Sequence, residues 1–254
     1  MLTQQRKAHI LEVLRRDGRV IAKTLSQELG LSEDTIRRDL RELAAEGLLQ
    51  RVHGGALPAS PALADFAGRQ GVAPAAKAAI GRAAARMIQS GQVVFLDGGT
   101  TAVQVARYLA PDLKATVVTH SPSVAVVLAE HPTVDVILIG GRLFKHSVVA
   151  VGAATFDAIA QVRADTFFMG VTGIHPEVGL TTGDWEEAAV KRTVCRHAAE
   201  TVVLASHEKL GAASPYLIAP VTEISTLVVE DGLPDHLIEP YRRLGIAVHA
   251  ARDP

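Results

Sequence analysis

Seven short apolar runs recur through the last two thirds of this 254-residue chain, at 92–96, 115–119, 134–139, 166–169, 201–205, 226–229 and 246–249. Runs of this length, dominated by Val, Ile, Leu and Phe with few polar interruptions, suit strands buried on both faces. Helical patterns separate most of them. Strand, helix, strand in repetition requires an α/β domain with a largely parallel sheet, because parallel neighbours need a crossover and the crossover helices cover the sheet. Ligands of such sheets collect beyond the carboxyl ends of the strands, which makes the loops there informative.

After the first run comes Asp97-Gly98-Gly99-Thr100-Thr101. Its glycines let backbone N–H groups approach an anion, and its threonines add hydroxyl donors at the start of a helix. The next loops are Thr119-His120-Ser121, Gly140-Gly141-Arg142, Gly170-Val171-Thr172-Gly173 and Ser206-His207-Glu208-Lys209. Any one would be an ordinary turn. Five loops rich in small, polar and cationic groups, converging at one end of a sheet, point to a pocket for an anionic ligand. A metal bound by His120, His207 and Glu208 is conceivable, but no ligand spacing supports it, and no metal or other cofactor is expected. Cys195 is the single cysteine, which excludes an intrachain disulfide; an inert, half-buried thiol on a helix is expected there.

The first 57 residues follow a different pattern. Residues 3–17 read as a helix with Ile10, Leu11 and Leu14 on one face and Gly18 as its stop. Arg19-Val20-Ile21 is a short β-branched stretch suited to pairing with a later hairpin, and 22–29 forms a second helix that buries Ala22, Leu25 and Leu29. Gly30-Leu31 makes a tight turn. Ser32 then caps a third helix, Glu33 and Asp34 sit where the helix dipole favours anions, and Ile36, Leu40 and Leu43 recur at helical spacing. Thr35, Arg37, Arg38 and Arg41 are left pointing outward. An arginine-bearing helix is often only a solvated face. Here the flanks argue otherwise, because Leu48-Leu49-Gln50-Arg51-Val52-His53-Gly54-Gly55-Ala56-Leu57 alternates apolar and polar residues across two glycines and reads as a hairpin. Helix, turn, capped helix and basic wing together describe a winged helix-turn-helix that binds DNA.

Charge is distributed accordingly. The first 57 residues carry ten Lys and Arg against eight Asp and Glu, the remainder sixteen against nineteen, and the whole chain is −1. A near-neutral total disfavours indiscriminate polyanion binding and favours a focused patch, duplicated by oligomerisation. Residues 58–74, rich in Pro, Ala, Ser and Gly, read as an interdomain linker with Phe66 as its docking point, and helical periodicity resumes over 75–90. The domain boundaries expected are therefore 1–57, 58–74 and 75–254. No apolar run approaches a membrane span and no signal-peptide core is present, which points to the cytoplasm.

The segment from Arg6 to Ala56, with Asp34-Thr35-Ile36-Arg37-Arg38-Asp39-Leu40 and Arg51-Val52-His53-Gly54-Gly55-Ala56, resembles the DNA-binding domain of the DeoR family of bacterial transcriptional regulators. The carboxyl-terminal region resembles that family's sensor domain, which is similar in fold to ribose-5-phosphate isomerase and CoA transferases. The resemblance implies a sugar-responsive repressor and a homo-oligomer, a dimer or tetramer, on operator DNA. It implies DNA contacts from Thr35, Arg37 and Arg38, with Ser32 and Arg41 alongside and Arg51 and His53 toward phosphate. Glu33 and Asp34 either serve the cap alone or accept from a cytosine amino group. It further implies that Asp97, Gly98, Gly99, Thr100 and Thr101 hold a sugar phosphate with Lys209 as counter-charge. Thr119, His120, Ser121, Gly140, Gly141, Arg142, Gly173 and His207 would join that site. Glu187 and Lys191 would stand at its rim or form a plain i, i+4 surface ion pair. Two loops depart from the family: Thr119-His120-Ser121 stands where Thr-Asn-Ser is usual, and Ser206-His207-Glu208-Lys209 where Asp-Ser-Ser-Lys is usual. Histidines there would recognise a second anionic group or make binding pH-dependent. An isomerase-like or hydrolytic enzyme and a non-specific architectural DNA binder are the alternatives to a regulator.

Overall fold

The computed structural model describes residues 2–252. Helices α1 (Thr3–Asp17), α2 (Ala22–Leu29) and α3 (Glu33–Ala45) pack with strands β1 (Val20–Ile21), β2 (Leu49–Val52) and β3 (Gly55–Pro58). The three strands form an antiparallel sheet in the order β1-β3-β2, so the short stretch after α1 pairs with the wing. Ile10, Leu14, Leu25, Ile36, Leu40, Leu43 and Leu49 meet in one small core. Within it Arg6 of α1 forks onto Asp39 of α3, both buried. Asp39 thus turns inward between outward arginines and locks the support helix to α3. These residues form the winged helix-turn-helix expected from the sequence.

The next stretch does not run free. Residues 61–63 form a single 3-10 turn, α4 (Phe66–Gln70) follows, and α5 (Pro74–Ala85) begins after Ala73, which holds a left-handed φ of 45°. Asp65 caps α4 through the Gly68 amide at 2.8 Å, and the Phe66 amide donates to the His146 carbonyl at 2.7 Å. Pro, Ala, Ser and Gly here make two short helical pieces moulded onto the sensor domain, where composition had suggested a linker.

The remaining elements are β4 (Val93–Leu96), α6 (Thr100–Arg107), β5 (Thr116–Thr119), α7 (Pro122–Leu128), β6 (Asp135–Leu138), β7 (Arg142–Phe144), β8 (Val149–Val151), α8 (Ala153–Ala160) and β9 (Ala164–Gly170). There follow β10 (Gly173–His175), β11 (Gly179–Thr182), α9 (Trp185–His197), β12 (Ala198–Leu204), β13 (Tyr216–Ala219), β14 (Thr226–Glu230), α10 (Asp235–Arg243) and β15 (Ala247–Ala251). All seven apolar runs become strands of one sheet, ordered β15-β14-β12-β9-β4-β5-β6, and every pair in it is parallel. Alternate residues feed two cores: Val94, Leu96 and Phe168 face α5, α6 and α7, while Phe95, Phe167 and Met169 face α8 and α9. The chain winds outward from β4 to β6, then returns to the other side of β4 with β9 and winds outward again. That reversal between β4 and β9 is a topological switch point, where two crossovers part and leave a crevice. Hairpin β10–β11 pairs with β13 in a small antiparallel sheet beside the crevice.

Candidate functional site

The carboxyl ends of β4 and β9 open onto one cavity. β4 delivers Gly98, Gly99, Thr100 and Thr101, and β9 delivers Gly170, Val171 and Thr172. Glycine is required at two of these positions for different reasons. A Cβ on Gly98 would lie 2.1 Å from Val149 Cγ1, and Gly99 holds a φ of 103°, which other residues rarely adopt. The backbone can therefore press close and present the first turn of α6, whose amides have no intrahelical acceptor and carry the positive end of the helix dipole.

Four cations line this cavity, Arg69, Lys77, Lys191 and Lys209, none more than 9% exposed. Two are satisfied by the protein. Lys191 is ion-paired with Asp97 and, at 3.2 Å, with Glu187, and Lys77 donates to the Arg69 carbonyl at 2.6 Å. The side chains of Arg69 and Lys209 have no hydrogen-bond or ion-pair partner among the described residues, and the buried Nε and Nη2 of Arg69 find no acceptor. Burial pushes the Lys209 ammonium down to about 8; Glu208 partly offsets this, while Lys77, Arg69 and Lys191 add to it. Burial also lowers Lys77 and Arg69. The Thr182 hydroxyl, in the same wall, is buried and unpaired. Buried cations without partners are costly, and an anion in the cavity is the species that offsets that cost.

Asp97 lies behind this surface, not on it. It is fully buried, and its carboxylate accepts from His120 Nε2 at 3.0 Å and from the amides of Gly98 at 2.8 Å and Gly170 at 2.9 Å, besides pairing with Lys191. Burial alone would raise its carboxyl, but the charge of Lys191 and the bond from His120 outweigh it and hold the group well below the usual carboxylate range. Asp97 therefore ties β4, β9 and α9 together at the switch point.

Of the residues singled out from sequence, the fold gathers Gly98, Gly99, Thr100, Thr101, Gly170, Val171, Thr172, Glu187, Lys191 and Lys209 around the cavity. Glu187 and Lys191 are a buried pair in its wall, with Ser147 donating to Glu187 at 3.0 Å, and not a surface bridge. The others stand elsewhere. Thr119, His120 and Ser121 are buried beneath the loop, where His120 Nδ1 meets the Ala150 carbonyl at 2.9 Å. Gly140 bonds Thr155, Gly141 packs against that threonine, and Arg142 pairs with Glu186 on the surface. Gly173 lets β10 approach the Ala212 carbonyl, and His207 is exposed and bound to Glu230 at 2.6 Å. Two histidines expected to face the ligand thus hold structure instead, one inside and one outside. Residues that sequence reasoning passed over are Arg69, Lys77 and Thr182. A signal existed for Lys77: it shares a helix face with Ile80 and Ala84, where a solvated lysine does not belong.

The DNA-facing surface is simpler. Ser32 Oγ accepts from the Thr35 amide at 3.2 Å and lies 2.9 Å from the Thr35 hydroxyl. Glu33 accepts from Arg37 at 2.7 Å, which gives that acid a use besides the cap. Arg38, Arg41 and Arg51 are exposed, and their guanidinium groups have no partner among the described residues. Arg37, Arg51 and His53 meet around a 290 Å³ cleft between α3 and the wing, so the helix and the hairpin present one basic surface.

Residues 6–61 match the model of the DeoR-like helix-turn-helix domain, and residues 73–231 that of the DeoR C-terminal sensor domain. The chain is 35% identical to the HTH-type transcriptional regulator GlpR of Haloferax volcanii over 98% of both chains. It is 34% identical to the glycerol-3-phosphate regulon repressor of Escherichia coli K12, covering 83% of this chain and 84% of that one. To the transcriptional repressor GlcR of Bacillus subtilis it is 32% identical, over 92% and 91%. A ribose 5-phosphate isomerase A structure from Methanocaldococcus jannaschii aligns with a TM-score of 0.39 and 17% identity over 52% of each chain. Both domain models match in the order and at the places where the winged helix and the parallel sheet lie, and the relatives match almost end to end: the chain belongs to the DeoR family of DNA-binding transcriptional regulators.

Proposed function

We propose that this regulator is a cytoplasmic repressor of carbohydrate-metabolism genes whose operator affinity is set by a phosphorylated sugar or related metabolite. The observation that carries the effector half is Arg69 and Lys209, two buried cations without partners at the N-terminus of α6. A phosphate ester carries close to two negative charges at neutral pH and accepts many hydrogen bonds, which suits amides, hydroxyls and cations in one wall. Binding without turnover is favoured by the state of the acids and the thiol. Asp97 and Glu187 are both engaged, and burial pushes the Cys195 thiol up to about 11.

Hairpin β10–β11 supplies the coupling. At its base Thr172 and Thr182 line the effector cavity, and at its tip His175, Glu177 and Val178 line a 390 Å³ cleft against Arg19–Ile21 and the wing. Glu177 reaches Arg19 at 3.4 Å. A ligand that bonds the Thr182 hydroxyl favours one setting of the hairpin, and only such a differential interaction can shift DNA affinity. Two copies of the chain place two recognition helices on a two-fold operator.

Thermal shift with sugar phosphates, inorganic phosphate and the parent sugars tests the effector. A ligand at a hundred times its Kd stabilises the native state by about 2.7 kcal/mol. Phosphorylated compounds raise Tm, parent sugars do not, and Thr100→Val reduces the rise. Equal shifts with and without phosphate overturn the reading. For the coupling, Glu177→Ala keeps both operator and effector affinity but shrinks the effect of one on the other, measured on operators selected from random DNA; full coupling in that variant excludes the hairpin.

A further inference from the structure

The inner cavity is small. Its volume of about 30 Å³ leaves room for roughly two water molecules, which suits a phosphoryl group and not the sugar that carries it. Immediately outside lies a groove of 360 Å³ that shares Lys77 and Thr100 with it. The groove follows one face of α6: Thr100, Val103, Gln104 and Arg107 stand at i, i+3, i+4 and i+7 and all line it. Phe66 and Gln70 of α4 form the opposite wall. Phe66 is half-buried and offers an apolar surface for the C–H face of a sugar, while Gln70 and Gln104 offer amides that both donate and accept, as hydroxyl groups require.

The far end of the groove is Arg107, exposed and without a hydrogen-bond or ion-pair partner among the described residues. Among the described residues no carboxylate lines the groove, and its charged side chains are Lys77 and Arg107. From Thr100 to Arg107 is about 10 Å along the helix axis at 1.5 Å per residue. We infer that the effector carries a second anionic group, opposite its phosphate, which the Arg107 guanidinium clamps while the sugar body lies across Phe66, Gln70 and Gln104. The ligand class is a hexose-sized sugar phosphate with a phosphate or a carboxylate at its other end. The inference rests on the phosphate reading of the inner cavity and adds to it a subsite and a length.

Titration calorimetry on the full-length protein separates the two levels. The probes are fructose 1,6-bisphosphate, 6-phosphogluconate, fructose 6-phosphate and inorganic phosphate. The expected result is that at least one of the first two binds tenfold or more tightly than fructose 6-phosphate, and which one does identifies the second group as phosphate or carboxylate. Arg107→Gln removes that advantage and leaves the affinity for fructose 6-phosphate unchanged, and because Arg107 is exposed the variant keeps the wild-type Tm. Equal affinity for singly and doubly anionic esters in the wild type overturns the inference while the phosphate reading stands. So does an equal loss for both in Arg107→Gln. If none of the four probes binds, inorganic phosphate included, both readings fall together.

Discussion

Replacing Lys209 by methionine should make the protein more stable and blind to its effector at once. Lys209 is 5% exposed, has no partner in the cavity wall, and is pushed by burial from 10.5 to about 8. A depression of that size corresponds to about 3 kcal/mol by which the charged side chain destabilises the ligand-free fold at neutral pH. Because the folded-state value lies below the unfolded one, the penalty is complete below pH 8, fades as pH rises from 8 to 10.5, and is gone above that range. Methionine keeps the unbranched stem and drops the charge. Part of the figure is returned through altered packing, so a gain of roughly 1–3 kcal/mol is expected, or about 2–4 °C in the sensor-domain Tm for each kcal/mol. Differential scanning calorimetry at pH 7 and pH 10 reads the gain, which should shrink at the higher pH. The phosphate-induced shift should vanish in the same variant. A Lys209→Met protein that melts at or below the wild-type temperature without ligand, or that still responds to phosphate, refutes the reasoning that this ammonium is held unpaired for an anion.

The same depressed value makes effector affinity fall with pH. Between pH 7 and pH 9 Lys209 passes from mostly charged to mostly neutral, so the phosphate-ester Kd should rise about tenfold by calorimetry. Asp39→Ala leaves the buried Arg6 charge without its partner and should cost the winged-helix domain about 3–5 kcal/mol, melting it separately while the sensor transition holds, as circular dichroism on heating would show. Arg38→Ala removes an exposed, unpartnered arginine and should weaken operator binding by about 1–3 kcal/mol in a fluorescence-anisotropy titration without changing the phosphate-induced Tm shift.

The fold was largely legible because its signals are local. Ser32 caps α3 through the Thr35 amide three residues away, and the tight turn at Gly30 and the wing at 49–58 depend on near neighbours. The inner strands of the sheet declare themselves by apolar runs, since burial on both faces disfavours polar residues, while the edge strands β6 and β15 are apolar in sequence yet largely exposed or half-buried. The site was most legible where it shares that locality. Gly98, Gly99, Thr100 and Thr101 form one loop, and they line the cavity as the loop chemistry suggested. Loops that looked equally suitable do not. Thr119-His120-Ser121 does stand at the end of a strand, but β5 is one strand away from the switch point, and its loop tucks beneath Asp97. Beyond β6 the Gly140-Gly141-Arg142 loop is farther still and turns to Thr155 and Glu186.

By itself, then, the sequence determined the winged helix, the parallel sheet, the Gly-Gly-Thr-Thr loop and the outward arginines, each set by residues within a turn or a strand of one another. Tertiary structure alone decided which of five strand-end loops line the cavity, because that depends on the order in which β4 and β9 become neighbours, and order in a sheet is not written in any one segment. It also turned Arg69 and Lys77, two isolated cations in an Ala- and Gly-rich stretch, into walls of the cavity. Their charges come to share one buried wall only when α4 and α5 fold back over the switch point and take water away from them.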